Sequence, residues 1–111
     1  MKLAELAKVL EAEIVVEGNP EKEITGGYAG DFLSFVMSRA PEGCVWFTVM
    51  SNVNVAAVAY MADVGAIVLC DGIKPEPPLT ERCVKENINL LTTELDTYGA
   101  ACRLALYENQ L

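Results

Sequence analysis

The side chains that could do chemistry are few in this chain, because its sequence contains no histidine. An enzyme needs an activated nucleophile, a general base or a metal, and histidine is the usual base near neutral pH. We interpret Asp31 and Asp96 as helix N-caps and Asp63 as the end of a helix. Asp71 follows an apolar strand and leaves two interpretations open, a turn-forming residue in Cys-Asp-Gly or the carboxylate of a small enzyme.

Four cysteines, Cys44, Cys70, Cys83 and Cys102, each lie in an apolar context. None forms a Cys-x-x-Cys pair, and structural zinc sites use close spacings of cysteine and histidine. We therefore expect no metal and no cofactor. We expect the thiols to be buried in a protein of the reducing cytosol, with a thiol switch as the alternative.

The glycine-rich stretch "ITGGYAGDFLS" could cradle a phosphate or only turn the chain. The P-loop pattern G-x-x-x-x-G-K-[ST] is absent, and no basic residue lies between Lys22 and Arg39. Glycine inside a strand pattern usually marks a bulge or a close approach of two backbones. We therefore predict a structural loop in which Gly26 or Gly27 has a positive φ or packs against another backbone, and in which Asp31 caps the following helix.

Composition excludes several classes of partner. The net charge of −8 opposes binding to nucleic acid and to anionic membranes. No basic segment precedes an apolar run at the start, and no apolar run is long enough to cross a bilayer, so we expect a cytoplasmic protein. At 111 residues and 52% hydrophobic, one small domain leaves apolar surface for a second subunit to cover.

The first third of the chain predicts a helix over residues 2–11 and then two strands, over residues 13–18 and 22–28, that form a β-hairpin. A short helix follows, and its predicted apolar face consists of Phe32, Phe35 and Val36.

From residue 44 onward, apolar strands alternate with helices three times. Val45, Ile67 and Leu90 recur at intervals of about 22 residues. Helices are predicted over 54–62, from Pro78 and from Thr97. This alternation predicts an α/β fold with a small, mostly parallel sheet and helices on its faces, in one domain over residues 1–111.

The stretch "TGGYAGDFLSFVM" resembles the opening of the DRTGG domain family. The residues that fit the family pattern are Gly26, Gly27, Tyr28, Asp31, Leu33, Ser34, Val36 and Met37. Gly30 stands where the family often has serine, and Phe32 where it often has leucine.

The second half of the chain is similar to the end of the N-terminal domain of bacterial HPr kinase/phosphorylase, in which a strand, a turn, a helix, a strand and a last helix follow in this order. The matching residues are Gly72, Ile73 and Pro75 in the turn and Ile88, Leu90, Leu91 and Thr93 in the strand. The resemblance covers nearly the whole chain.

This resemblance implies a domain akin to the N-terminal domains of HPr kinase and of Mur ligases. It implies no catalytic residue, because the kinase activity belongs to a separate P-loop domain. Family members often carry Thr-His-Gln-Asn before the first long helix. Here Asn54 matches the last position but Asn52 replaces the histidine, so the resemblance carries no role of that histidine over to this chain.

The polar residues that follow the predicted strands are the candidate ligand site. In open α/β sheets, ligands bind outside the carboxyl ends of the strands, and helix N-termini there attract anions. The candidate residues are Ser51, Asn52, Asn54, Asp71, Gly72, Thr92 and Thr93. The alternative is that these residues only cap helices, and the negative charge opposes an anion.

The helix over 54–62 is apolar around most of its circumference, which predicts burial on more than one side. We expect a homodimer that uses Val55, Val58, Tyr60 and Met61, unless the chain's own sheet buries this helix.

We therefore predict a non-catalytic regulatory domain that acts as a homodimer and senses a small molecule, a nucleotide or another anionic metabolite. The alternatives are an interaction module for a separately encoded enzyme and a small enzyme that uses Asp71.

Overall fold

Runs of apolar residues form the strands of a single sheet in the computed structural model, which describes residues 1–109. The strands are β1 (Glu13–Val16), β2 (Gly27–Ala29), β3 (Val45–Thr48), β4 (Ala66–Leu69) and β5 (Leu90–Thr92). The helices are α1 (Leu3–Val9), α2 (Leu33–Arg39), α3 (Asn54–Ala62), α4 (Pro77–Lys85) and α5 (Thr97–Tyr107).

The five strands lie in the order β1-β5-β4-β3-β2. The pairs β2–β3, β3–β4 and β4–β5 are parallel, and β1 pairs antiparallel with β5 at one edge. The predicted α/β fold with a mostly parallel sheet is confirmed. The three predicted strand–helix units all form, and each helix begins within one residue of its expected position.

Side chains alternate between the two faces of the sheet and divide the core into two layers. Trp46 and Ile67 pack on one face with the buried sides of α2, α3 and α4. Phe47 and Val68 point to the other face, where they meet α1 and α5. Because both faces are covered, the central strands β3 and β4 are buried along their whole length.

The predicted β-hairpin does not form, since β1 and β2 occupy opposite edges of the sheet. The segment over residues 17–26 carries the chain past the amino ends of the central strands. The Asn89 amide holds its turn: it donates to the Asn19 carbonyl and accepts from the Asn19 N–H. Further along, the Thr25 N–H donates to the Gly43 carbonyl. These contacts hold the segment beside the central strands, so β2 pairs with β3 and not with β1.

The buried face of α2 differs from the predicted one. Val36 is fully buried, but Phe32 and Phe35 expose 62% and 42% of their surface.

The α5 helix begins as expected, because the Asp96 carboxylate accepts a hydrogen bond from the Gly99 N–H at 2.7 Å. Within residues 1–109, every helix is too short or too polar to span a bilayer.

The cysteines bear out the expectation of burial at three of four positions. Cys44, Cys70 and Cys83 are buried, whereas Cys102 is partly exposed. Burial raises the thiol pKa to about 11 for Cys44 and Cys70 and to about 12 for Cys83.

We predict that iodoacetamide labels one thiol of the native protein, that of Cys102. At pH 8 only about one in 1,000 thiols with a pKa of about 11 is ionised, and the thiolate is the reactive form. Mass spectrometry should find one adduct under native conditions and four in denaturant. Rapid native labelling of Cys70 would contradict this assignment.

Candidate functional site

The carboxyl ends of the four parallel strands meet at one edge of the sheet. The loops that follow them cover residues 30–32, 49–53, 70–76 and 93–96. Helices α2, α3, α4 and α5 begin at the ends of these loops. This edge is where ligands bind in open α/β sheets, so we describe the predicted site residues here first.

Asp31 joins the ends of β2 and β3. Its Oδ1 accepts hydrogen bonds from the Thr48 hydroxyl at 2.7 Å and from the Val49 N–H at 2.9 Å. The predicted capping role is wrong, because Phe32 occupies the N-cap position of α2 and no side-chain cap bond forms. The prediction that Asp31 belongs to a structural loop agrees with these contacts.

The loop before α3 is tied together by its own polar groups. The Ser51 hydroxyl donates to Glu76 Oε2 at 3.3 Å, and the Glu76 N–H donates to the Ser51 carbonyl at 3.1 Å. The Asn52 Oδ1 accepts from the Asn54 N–H at 2.9 Å, so this amide organises the start of the helix. The Asn54 residue is exposed.

Asp71 and Gly72 form a turn of left-handed backbone with φ of 60° and 69°. Their N–H groups donate to the carbonyls of Leu95 and Thr93 at 2.8 and 2.9 Å, which joins the loops after β4 and β5. Asp71 is exposed, and these backbone hydrogen bonds hold it at a fixed place.

Thr92 and Thr93 are buried. They expose only 8% and 3% of their surface. The Thr93 hydroxyl donates to the Leu10 carbonyl at 2.9 Å and accepts from the Leu95 N–H at 3.2 Å. Of the seven predicted positions, Thr92 and Thr93 are therefore buried, and the other five, Ser51, Asn52, Asn54, Asp71 and Gly72, are partly or fully exposed.

This edge carries a strong negative charge. The four loops contain five carboxylates and one ammonium group, and these are Asp31, Asp71, Glu76, Glu94, Asp96 and Lys74. Burial is the main cause of the raised pKa of Cys70, and nearby aspartate charges act in the same direction. Within the described chain no group of three potential ligand side chains could hold a metal ion. Sequence reasoning missed Glu76 and Glu94, whose only signal is that they closely follow strands.

Gly26 and Gly27 lie at the amino end of β2, beside a cavity. Gly26 has a φ of 72°, which confirms the prediction of a positive φ, and its N–H donates to Glu108 Oε2 at 3.2 Å. A Cβ atom on Gly27 would lie 3.2 Å from the Phe47 ring and 3.4 Å from a Leu104 methyl. The missing side chain leaves a cavity of about 250 Å³ between β2 and α5.

A further cavity of about 400 Å³ lies near the amino ends of β4 and β5. Its charged lining includes Lys22 and Asp63, which pair at 2.8 Å. The hydrogen bond from Lys22 lowers the pKa of the Asp63 carboxyl. Because these two charges neutralise each other, we assign no function to this cavity.

The predicted dimer residues divide into two groups. Val55 and Val58 are buried in the core of the monomer, at 0% and 6% exposure, so they cannot form a contact surface. Tyr60 and Met61 are exposed by 61% and 70%. The helix is apolar on several sides because α2, α4 and the sheet cover it, with Tyr60 and Met61 as the uncovered part.

We predict that Asp31→Ala lowers the free energy of unfolding by about 1–3 kcal/mol, because it leaves the buried Thr48 hydroxyl without its acceptor. Asp31→Asn is the matched control, since both bonds go to Oδ1 and the amide oxygen of asparagine can still accept both. Thermal unfolding should give a much larger fall in Tm for alanine than for asparagine. Equal falls would mean that the two hydrogen bonds contribute little.

This domain is similar to a known domain family and to a solved structure. The sequence profile of the DRTGG domain matches residues 5–107. No curated protein sequence matches the chain. A similar solved structure contains the CBS and DRTGG domains of the regulatory region of Clostridium perfringens pyrophosphatase, complexed with the activator diadenosine tetraphosphate. It aligns with a TM-score of 0.77 at 21% identity.

The alignment covers 93% of this chain but only 45% of the pyrophosphatase regulatory region, so the chain spans less than half of that neighbour. The family match spans nearly the whole chain and agrees with the residues that suggested it. The chain belongs to the DRTGG domain family.

Proposed function

We propose that this chain is a non-catalytic regulatory domain that acts as a homodimer and responds to a small-molecule ligand. The observation that carries the proposal is the combination of family membership with a fold shared with part of an enzyme's regulatory region. That neighbour is complexed with an activator, so regulation by a ligand is a known task of a protein that contains this fold.

The chemistry of the strand-end edge supports a role without catalysis. Asp71 is exposed to solvent, and the neighbouring thiol of Cys70 is buried with a raised pKa. A catalytic nucleophile needs a base within hydrogen-bond reach or a lowered pKa. The Cys70 thiol meets neither condition, because its pKa is raised and its hydrogen bond goes to the Val68 carbonyl.

Nucleotide binding at this edge has to overcome its negative charge. The residues of the site that are partly or fully exposed are Ser51, Asn52, Asn54, Asp71 and Gly72. Phosphates would meet the surrounding carboxylates, and this repulsion raises the free energy of the complex. Mg²⁺ is commonly held by one or two carboxylates together with substrate phosphates. We therefore propose that a nucleotide binds here as its Mg²⁺ complex.

Calorimetry with diadenosine tetraphosphate tests this proposal. We expect saturable binding with Mg²⁺ present, at least tenfold weaker binding in EDTA, and weakened binding to Asp71→Asn. The control is Glu5→Gln on the exposed side of α1, away from the strand ends. Absence of binding in both buffers, or equal affinity in EDTA, would contradict the nucleotide part of the proposal.

The proposed dimer surface lies on α2 and α3, which pack against each other. Tyr60 and Met61 project from α3, and Phe32 and Phe35 are exposed on α2. The two phenylalanine rings meet edge to face at 4.7 Å, and the Arg39 guanidinium lies 3.7 Å from the Phe35 ring centroid. Aromatic residues, methionine and arginine are enriched at protein interfaces, which supports this surface.

We predict that Tyr60→Glu combined with Met61→Glu converts a homodimer into a monomer, because two charges would be buried at the contact. Sedimentation analysis at tens of micromolar measures the mass. Tyr98→Glu is the control, since Tyr98 is 80% exposed on α5, a helix of the opposite layer. A monomeric wild-type chain would refute the dimer, and dissociation by Tyr98→Glu alone would place the contact on α5.

A further inference from the structure

One edge of the sheet ends in a strand whose outer side is unpaired within residues 1–109. β2 is the last strand in the sheet and pairs only with β3. The Val45 N–H donates to the Gly26 carbonyl at 3.0 Å, and the Gly30 N–H donates to the Phe47 carbonyl at 3.1 Å. In a parallel ladder, alternate residues turn their backbone groups toward the partner strand. The N–H and C=O groups of Gly27 and Ala29 therefore face outward.

The cavity of about 250 Å³ opens beside these outward groups. Its wall consists largely of apolar side chains, with Phe47 from β3 and Leu104 and Ala101 from α5. The cavity depends on Gly27, because a side chain at this position would fill the space above Phe47 and Leu104. It is smaller than the roughly 300–1,000 Å³ of pockets for drug-sized ligands, so its volume suits a single side chain.

A carboxylate with unused capacity lines this cavity. Glu108 Oε2 accepts the Gly26 N–H at 3.2 Å, whereas Glu108 Oε1 is shielded from solvent and has no hydrogen-bond partner in the described chain. A carboxylate oxygen that is out of water and without a donor costs free energy, and a charged donor restores the most. The Glu108 carboxylate therefore gives the cavity wall a negative group, and its unpaired oxygen would gain a donor if the side chain turned toward the cavity.

We propose that the β2 edge is a docking site for an extended segment of a partner protein that carries a lysine or arginine side chain. The segment adds to the sheet by hydrogen bonds to the backbone of Gly27 and Ala29. Its basic side chain enters over Gly27, lays its apolar stem on Phe47 and Leu104, and pairs with the Glu108 carboxylate, which turns Oε1 toward the cavity on binding.

The charge of the chain favours such a partner over a second copy of itself. The net charge of −8 attracts a basic segment to this edge and gives a second copy of the acidic chain no such advantage here. The proposal is independent of the α2–α3 dimer and of nucleotide binding, because it uses a different edge of the sheet.

Selection from a displayed library of random nonapeptides tests the proposal, with the full chain as bait. We expect the selected peptides to share one lysine or arginine within a proline-free stretch of β-branched and aromatic residues. A synthetic selected peptide should shift the amide resonances of residues 27–29. Replacing its basic residue by norleucine should weaken binding about tenfold or more.

Two variants locate the contact. Glu108→Gln keeps an acceptor for the Gly26 N–H but removes the charge, so it should lose about tenfold or more in affinity. Gly27→Ala narrows the cavity by one methyl group and should also weaken binding; its Tm separates this effect from misfolding. The Tyr60→Glu, Met61→Glu chain should bind the peptide like wild type, whether or not it is monomeric.

Failure to select peptides, selection without a basic residue, or equal affinity for Glu108→Gln would overturn the proposal. Dissociation of the native homodimer by Gly27→Ala would also overturn it, since the edge would then be occupied by a second copy of this chain.

Discussion

The fold depends on one buried amide, that of Asn89. This side chain is 1% exposed, and it donates to the carbonyls of Asn19 and Gly65 while its oxygen accepts the Asn19 N–H. It joins the turn after β1, the residue before β4 and the start of β5 at one point. Because β1 and β2 lie at opposite edges, the chain has to cross the amino ends of the central strands, and this amide fixes where the crossing begins.

The two ends of the sheet consequently do different work. At the amino ends, polar groups such as Asn89 and the Lys22–Asp63 pair satisfy each other and hold the connection in place. At the carboxyl ends, backbone groups satisfy each other and leave carboxylates exposed around Asp71. The first arrangement contributes stability, and the second leaves charge available for a cation or for a ligand that carries one.

Sequence reasoning succeeded where the signal is local and failed where it depends on distant partners. The central strands β3 and β4 are predictable because parallel strands buried on both faces are continuously apolar. The pairing of β1 was not predictable, because its partner strand β5 lies more than 70 residues later in the chain. Asp31 looks like a helix cap in sequence, but its acceptor oxygen serves Thr48, 17 residues away.

The candidate site divides in the same way. The strand-end position of Ser51 and Asp71 follows from the strand–helix alternation, whereas the internal use of Thr93 depends on a carbonyl 83 residues earlier in the chain. Glu108 carries no local signal, since its contact with Gly26 spans 82 residues. The exposure of Phe32 and Phe35 was also not predictable from the sequence. Helical spacing identifies an apolar stripe but does not show which element packs against it.

The pairing of β1 with β5 has a consequence for synthesis on the ribosome. The first sixteen residues have no strand to join until Leu90–Thr92 has been made, and the Thr93 hydroxyl then binds the Leu10 carbonyl. Residues 27–85 can form β2, β3 and β4 with their helices while the amino-terminal segment waits. Pairing of strands that lie so far apart in sequence requires a large loop to close and slows folding. The apolar face of α1 therefore lacks the cover that β5 and α5 give it until those elements have been made, and the nascent chain needs protection from aggregation in this interval.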